Sequence, residues 1–431
     1  MGNLIKTFNN YSRYRFPKRG KMNRKRLKKM NRGCYGGIPR YTIDTHQAKA
    51  RQETKSNKVN RKILFSLIIA IMAMTAPFIA LTLSSPVSEE VPATVTYNIR
   101  STIVINSDSE FDAAHGINSG SGAPGDPYVI DNWDITASTN HAITINNTRA
   151  YFEIRGCYLH GGSTNFWDGI IMTNVINGTI KSNVIQGNYH GVHLDVSNWN
   201  IIHANNISDN SLDGVYLDGC HDDSITNNSI WKNAWNGIFL SISNNNIVMN
   251  NTCNSNSWDG IYLETSSFNQ IFWNNCSWNK DDGIAMYWNC ISNFVFQNVV
   301  ISNTDYGCEV DGGGPPTCGG NIITENTFML NHGSLPYPAF NPFAIQGFDN
   351  NGPINFWDFG GIGNYWHDWT LPDADTNGIV DIPYLLDPAP YMAMDNFPLT
   401  NWSVIPEPPL ILLSVIMLGI CLLMARNRKK Q

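Results

Sequence analysis

Between Trp167 and Cys308 a glycine followed by an apolar residue returns at a near-constant interval. It stands at Gly169, Gly191, Gly214, Gly237, Gly260, Gly283 and Gly307, spaced 22, 23, 23, 23, 23 and 24 residues apart. A period of this length marks a solenoid, in which each repeat buries its apolar face only against its neighbours. One place after the glycine stand Val192, Val215, Ile238, Ile261, Ile284 and Cys308, and two places further Leu194, Leu217, Leu240, Leu263, Met286 and Val310. Residues two apart share one face of a strand. Two more apolar columns run through Ile202, Ile225, Val248, Ile271 and Val295, and through Ile207, Ile230, Cys253, Cys276 and Val300. No helical period occurs among them, so each repeat is expected to give about three short strands and to close one coil of an all-β, parallel β-helix.

The polar positions keep the same beat. Asn205, Asn228, Asn251, Asn274 and Asn298 form one column, and Asn200, Asp223, Asn246, Asn269 and Asn293 another. Asn tolerates left-handed backbone at a tight corner and carries an amide able to bond its counterpart in the next coil. These columns therefore predict corners stacked as amide ladders.

Three features together resemble a known family: the repeats, the leading segment Gly120-Ser-Gly-Ala-Pro-Gly-Asp-Pro-Tyr-Val-Ile130, and the exit segment Gly363-Asn-Tyr-Trp-His-Asp-Trp369 with Asp381-Ile-Pro-Tyr384 and Asp395-Asn-Phe-Pro-Leu399. The chain resembles the right-handed parallel β-helix repeat proteins of the NosD-like group, in particular their archaeal surface-protein branch. The likeness covers roughly residues 98 to 400. It implies a right-handed solenoid and a NosD-type copper connection, and it hands over no catalytic residue.

Outside the repeats the composition shifts sharply. Residues 1–62 hold 19 of the 29 Lys and Arg against Asp44 and Glu53, and residues 63–83 are 21 uncharged positions, long enough to cross a bilayer. Residues 408–425 are a second apolar segment, followed by the basic tail 426–431. Basic flanks prefer the cytoplasm, so both termini are expected there before any processing, with the β-helix outside the cell. Segment 63–83 reads as a retained anchor or a signal peptide. Val404-Ile-Pro-Glu-Pro-Pro409 with its apolar run and basic tail looks like an exosortase or archaeosortase sorting signal, or else an ordinary anchor. Within the ectodomain, residues 95–135 read as an N-terminal cap, 136–335 as the repeats and 336–403 as a C-terminal cap.

Residues 85–409 carry 33 Asp and Glu against six basic residues, a balance of −27. Such a surface repels nucleic acid and polyuronates, which argues against the pectate lyase analogy. The Gly-His-Gly and Arg-Ile-Lys signatures of polygalacturonases are absent. A membrane partner is expected, with glycans or surface proteins beyond it and no nucleic acid. Seven Asn-x-Ser/Thr sequons, at Asn146, Asn177, Asn206, Asn227, Asn250, Asn275 and Asn401, are candidate glycosylation sites.

The outer face of the glycine-marked strand offers a binding strip. Tyr216, Phe239 and Tyr262 stand two places after the glycine, while Asp213 and Asp259, with Trp235 and Trp258, come just before it. Rows of aromatics flanked by carboxylates suit sugar rings, although such rows also simply stabilise a sheet. Asp195, Asp218 and Glu264 could pair as glycosidase-like carboxylates, which leaves a polysaccharide-processing enzyme (lyase, hydrolase or epimerase) as the alternative to a binding or structural module. Asp373, Asp375, Asn377, Ile379 and Asp381 match the first nine places of a Ca²⁺ loop, with Gly378 at the sharp turn and Tyr384 where a bidentate Glu is usual. Copper is disfavoured, and with it a copper-processing role. Only His190 and His193 lie close, and a three-residue offset on a strand points them to opposite faces. Cys308 and Cys318 flank a loop ejected between coils and are the candidate disulfide.

Overall fold

The computed structural model describes residues 97–314, 317–334, 345–351, 354–386 and 393–401. The basic leader, both apolar segments and the basic tail lie outside the described residues. Among the described residues no helix is long and apolar enough to cross a membrane.

Almost all strands pair in parallel, each with the equivalent strand one coil away, and they assemble into three long sheets of ten, nine and seven strands. The chain thus winds as a right-handed parallel β-helix. Val192–Asp195, Val215–Asp218, Ile238–Ser241, Ile261–Glu264 and Ile284–Tyr287 stack in strict register in the ten-stranded sheet. The inward columns are inaccessible to solvent: Val192, Leu194, Ile202, Ile207 and their counterparts are all 0% exposed.

The glycine beat has a steric cause. A Cβ at Gly214 would lie 2.4 Å from Ile230 Cγ2, 2.7 Å from the carbonyl oxygen of Gly237 and 2.8 Å from Asn233 Nδ2. The same collision with the next coil's backbone recurs at Gly191, Gly237, Gly260 and Gly283, none of which needs a left-handed backbone. Here glycine is selected for close approach, with its conformational freedom unused.

The first expected amide ladder forms unbroken, the second is interrupted at Asp223, and a third joins them. In the first, Asn228 Nδ2 donates to Asn251 Oδ1 at 3.0 Å and to the carbonyl of Ile202 at 2.9 Å, while its Oδ1 accepts from the backbone and side chain of Asn205. The unforeseen ladder runs Asn210, Asn233, Asn256, Asn279, Asn303, Asn331 and ends on Gln346. One expectation is corrected at these corners. The left-handed residue is usually the one before the ladder Asn, for example Ala204, Asp209, Asp222 and Trp273. The ladder side chain must point inward to meet its neighbour, so the positive φ passes to the preceding, outward-pointing residue.

Stacking also outruns the segment 136–335 at both ends. Asn98–Arg100 pairs with the strand Trp133–Thr136, and Gly347–Asp349 pairs with Cys308–Asp311. Long insertions between these outer strands conceal the period. Phe111 closes the first coil by stacking on Tyr128 at 4.8 Å. At the far end Tyr384 stacks on Trp366 at 4.1 Å, and the buried Asp395 accepts from the backbone of Asn364 and Phe397 and from Trp366 Nε1. These caps cover apolar coil ends that would otherwise be open to association.

Candidate functional site

The ten-stranded sheet presents its outward side chains as a row. His193, Tyr216, Phe239, Tyr262 and Tyr287 follow one another with ring centroids 4.9, 5.0, 4.9 and 5.5 Å apart, all half-buried. Parallel strands in register impose this spacing from His193 to Tyr262, whereas Tyr287, the register partner of Glu264, reaches Tyr262 diagonally. Beside the row, Trp235 and Trp258 stack face to face at 4.8 Å, and Trp258 is 42% exposed.

Along the other edge stand Asp195, Asp218 and Glu264, also half-buried. Asp195 and Asp218 are register partners on adjacent coils. Burial, then the charge of Asp195, pushes the Asp218 carboxyl above its ordinary value. Burial likewise raises Glu264, which Tyr262 Oη approaches at 3.4 Å. The candidate carboxylates therefore do line the ring row.

Asp213 and Asp259 do not. They are 1% and 5% exposed and lie beneath the row, where Asp213 Oδ1 accepts the backbone N–H and amide of Asn236, and Asp259 Oδ1 accepts the backbone N–H of Asp282. Position minus one precedes the strand, and the corner there rotates its side chain inward.

The same rotation corrects the reading of the histidines. His190 sits at the corner, not on the strand Val192–Asp195, and its ring centroid lies 5.1 Å from that of His193. Both imidazoles turn to Asp168: His190 Nδ1 is 2.9 Å from Oδ1 and His193 Nδ1 is 3.4 Å from Oδ2. His141 joins them, its Nδ1 accepting the backbone N–H of Asp168 at 2.8 Å and lying 3.2 Å from Oδ2. Burial alone would raise the Asp168 carboxyl, but the imidazoles of His141, His190 and His193 around it and the charge of His190 outweigh burial and hold it far below the carboxylate range. His141 escaped detection because Ala142 replaces the marker glycine in its coil. Strand register places His141, Asp168, His190 and Asp213 in one column.

The loop at residues 373–381 is folded on itself. Asp373 accepts from the backbone of Asn377 and Gly378, Asn377 Oδ1 accepts the backbone N–H of Ile379, and Asp381 accepts that of Ala374. Asp375 accepts the side-chain amide of Asn377. Tyr384 is committed to the cap, its hydroxyl accepting from the backbone of Gln346 and lying 3.4 Å from Asp368. The sequon residues Asn206, Asn227, Asn250 and Asn401 are exposed, whereas Asn146, Asn177 and Asn275 are half-buried.

Cys308 and Cys318 are not joined; all seven described cysteines are free and buried. Cys308 fills an inward column of its strand. Cys318 takes a corner place in a ladder of small groups through Ser197, Cys220, Ser243, Ser266 and Cys290, and its Sγ accepts the backbone N–H of Cys290 at 3.3 Å.

Residues 168–328 match the family described as right handed beta helix region, and residues 94–240 match that described as periplasmic copper-binding protein (NosD). The chain is a NosD-like right-handed β-helix protein. Among solved structures, this NosD-like chain is similar to the periplasmic alginate epimerase AlgG, at 15% identity over 61% of this chain and 67% of that chain, TM-score 0.45. It is also similar to the Azotobacter vinelandii mannuronan C-5 epimerase AlgE4 A-module (15% identity, 57% and 82%, TM-score 0.38) and to pectate lyase Pel9A (13%, 63% and 76%, TM-score 0.42). No curated protein sequence matches it.

Proposed function

We propose that this NosD-like protein is a cell-surface glycan-binding module, held at the membrane by segments 63–83 and 408–425 with its β-helix outside. The outer face of the ten-stranded sheet receives an extended, neutral glycan lying along the solenoid axis. The observation that carries this reading is the half-exposed row His193, Tyr216, Phe239, Tyr262 and Tyr287 edged by Asp195, Asp218 and Glu264. Rings offer apolar contact to sugar C–H faces, and the carboxyls offer acceptors to hydroxyls. The strongly acidic exterior disfavours polyuronates and selects neutral chains.

A glycan array probed with the full-length chain, with and without Ca²⁺, tests this. Retention of neutral oligosaccharides over uronates supports it, and retention of no glycan refutes it. Dependence on Ca²⁺ would assign the ion to the loop of Asp373, Asp375, Asn377, Ile379 and Asp381. The enzymatic alternative rests on the register pair Asp195 and Asp218, with Asp218 pushed upward. It requires product release from neutral glycans that is lost in Asp195→Ala or Asp218→Ala.

A further inference from the structure

At the head of the ring row, we infer that Asp168, His190 and His193 form a binding site for one divalent first-row transition ion of the zinc(II) or copper(II) class. Their donor atoms, two imidazole nitrogens and a carboxylate oxygen, all lie within 4.8 Å of one another. Metal–ligand bonds of about 2.0–2.1 Å put the corners of a tetrahedron about 3.3 Å apart. His193 Nδ1 stands 3.4 Å from Asp168 Oδ2, at that edge length and longer than an ordinary hydrogen bond.

The surroundings suit an ion. His190 turns its second nitrogen, Nε2, toward Asp213 Oδ2 at 3.7 Å, the outer carboxylate that commonly orients a ligating imidazole. His141 packs beside them, its Nδ1 accepting the backbone N–H of Asp168 at 2.8 Å and so fixing where that carboxylate stands. Asp168 and His190 are buried, whereas His193 is half-buried at the start of the row, which leaves a coordination position open toward solvent.

The donor set decides the class of ion. Ca²⁺ and Mg²⁺ require oxygen ligands throughout, and Cu(I) prefers sulfur, while imidazole with carboxylate suits Zn²⁺ and Cu²⁺. The sign of the exterior favours capture of any cation. The site stands independently of the glycan reading, since it uses only the first ring of the row.

The test is metal retention by the untagged, full-length chain. Protein equilibrated separately with Zn²⁺ and Cu²⁺ is desalted and its metal content measured, and the Cu²⁺ sample is examined by electron paramagnetic resonance for nitrogen coupling. The expected result is about one equivalent of at least one ion and nitrogen coupling in the Cu²⁺ spectrum. His193→Ala, at the half-exposed position, is expected to weaken binding at least tenfold and to remove one coupled nitrogen. His203→Ala, on another sheet, retains the metal and controls for folding. Failure of both ions to bind, or equal binding by wild type and His193→Ala, overturns the proposal.

Discussion

Gly214→Ala isolates the physical reason for the repeat. The added methyl would sit 2.4 Å from Ile230 Cγ2, 2.7 Å from the carbonyl oxygen of Gly237 and 2.8 Å from Asn233 Nδ2. Relief at the isoleucine requires an off-rotamer side chain. Relief at Gly237 is harder, because that oxygen accepts the backbone N–H of Val215 at 2.9 Å. Moving Asn233 strains its 3.1 Å bond to Asn256. Overpacking of this kind costs about 1–3 kcal/mol, and each weakened hydrogen bond adds about 1 kcal/mol. The reduced freedom of the unfolded chain returns about 0.4–1 kcal/mol. The net expectation is a destabilisation of about 2–4 kcal/mol, read by equilibrium urea unfolding. Gly125 has no atom within 4 Å of its virtual Cβ and no positive φ, so Gly125→Ala is neutral or stabilising by at most about 1 kcal/mol. If the two substitutions behave alike, steric approach between coils is not what fixes the glycine.

Asp223 interrupts an amide ladder with a buried Oδ2 that lacks a partner, while Asn246, one coil on, donates to the carbonyl of Cys220. Asp223→Asn supplies the missing donor and should stabilise the fold by about 1–3 kcal/mol at neutral pH, seen as a higher urea midpoint. Burial raises the Asp223 carboxyl well above its ordinary value, so the gain should shrink as pH falls toward the unfolded value near 4; a loss of stability on substitution would contradict the ladder. In the C-terminal cap, burial pushes Asp395 up to about 7 and Asp368 up to about 6, and burial pushes His367 down to about 4. The two carboxyls give stability that is full below about pH 4 and lost as pH rises through 6 and 7, while the imidazole opposes them below about 6.5. The net slope is downward, at most about 1.4 kcal/mol per pH unit. Hydrogen exchange of the amides of Asn364 and Phe397, corrected for intrinsic rates, should show less protection at pH 7.5 than at pH 4.5, and the reverse order would refute the assignment.

Residues that repeat were legible, and residues at corners were not. Leu217 and Ile225 could be placed inward because period 2 and period 23 agree on them, and Asn228 because its column is unbroken. Asp213 and His190 were misplaced because alternation was carried two residues beyond the strand, past the glycine and across a corner that turns the chain inward. His141 lies behind an Ala in place of the glycine, and Cys318 behind the insertion that follows Asp311. In each case the lost information is the chain's rotation between strands, which no spacing encodes. The ring row Tyr216, Phe239 and Tyr262 survived because all three stand inside strands.

The direct test of the row as a recognition surface is calorimetric titration of the full-length chain with neutral oligosaccharides of increasing length. Four rings in register, with Tyr287 beyond them, should give affinity that rises with each added sugar and then levels once the row is covered, and Phe239→Ala with Tyr262→Ala should remove most of it, at about 1 kcal/mol or more per ring. Affinity that is independent of length, or unchanged in the double substitution, would show that the row serves only to stabilise its sheet.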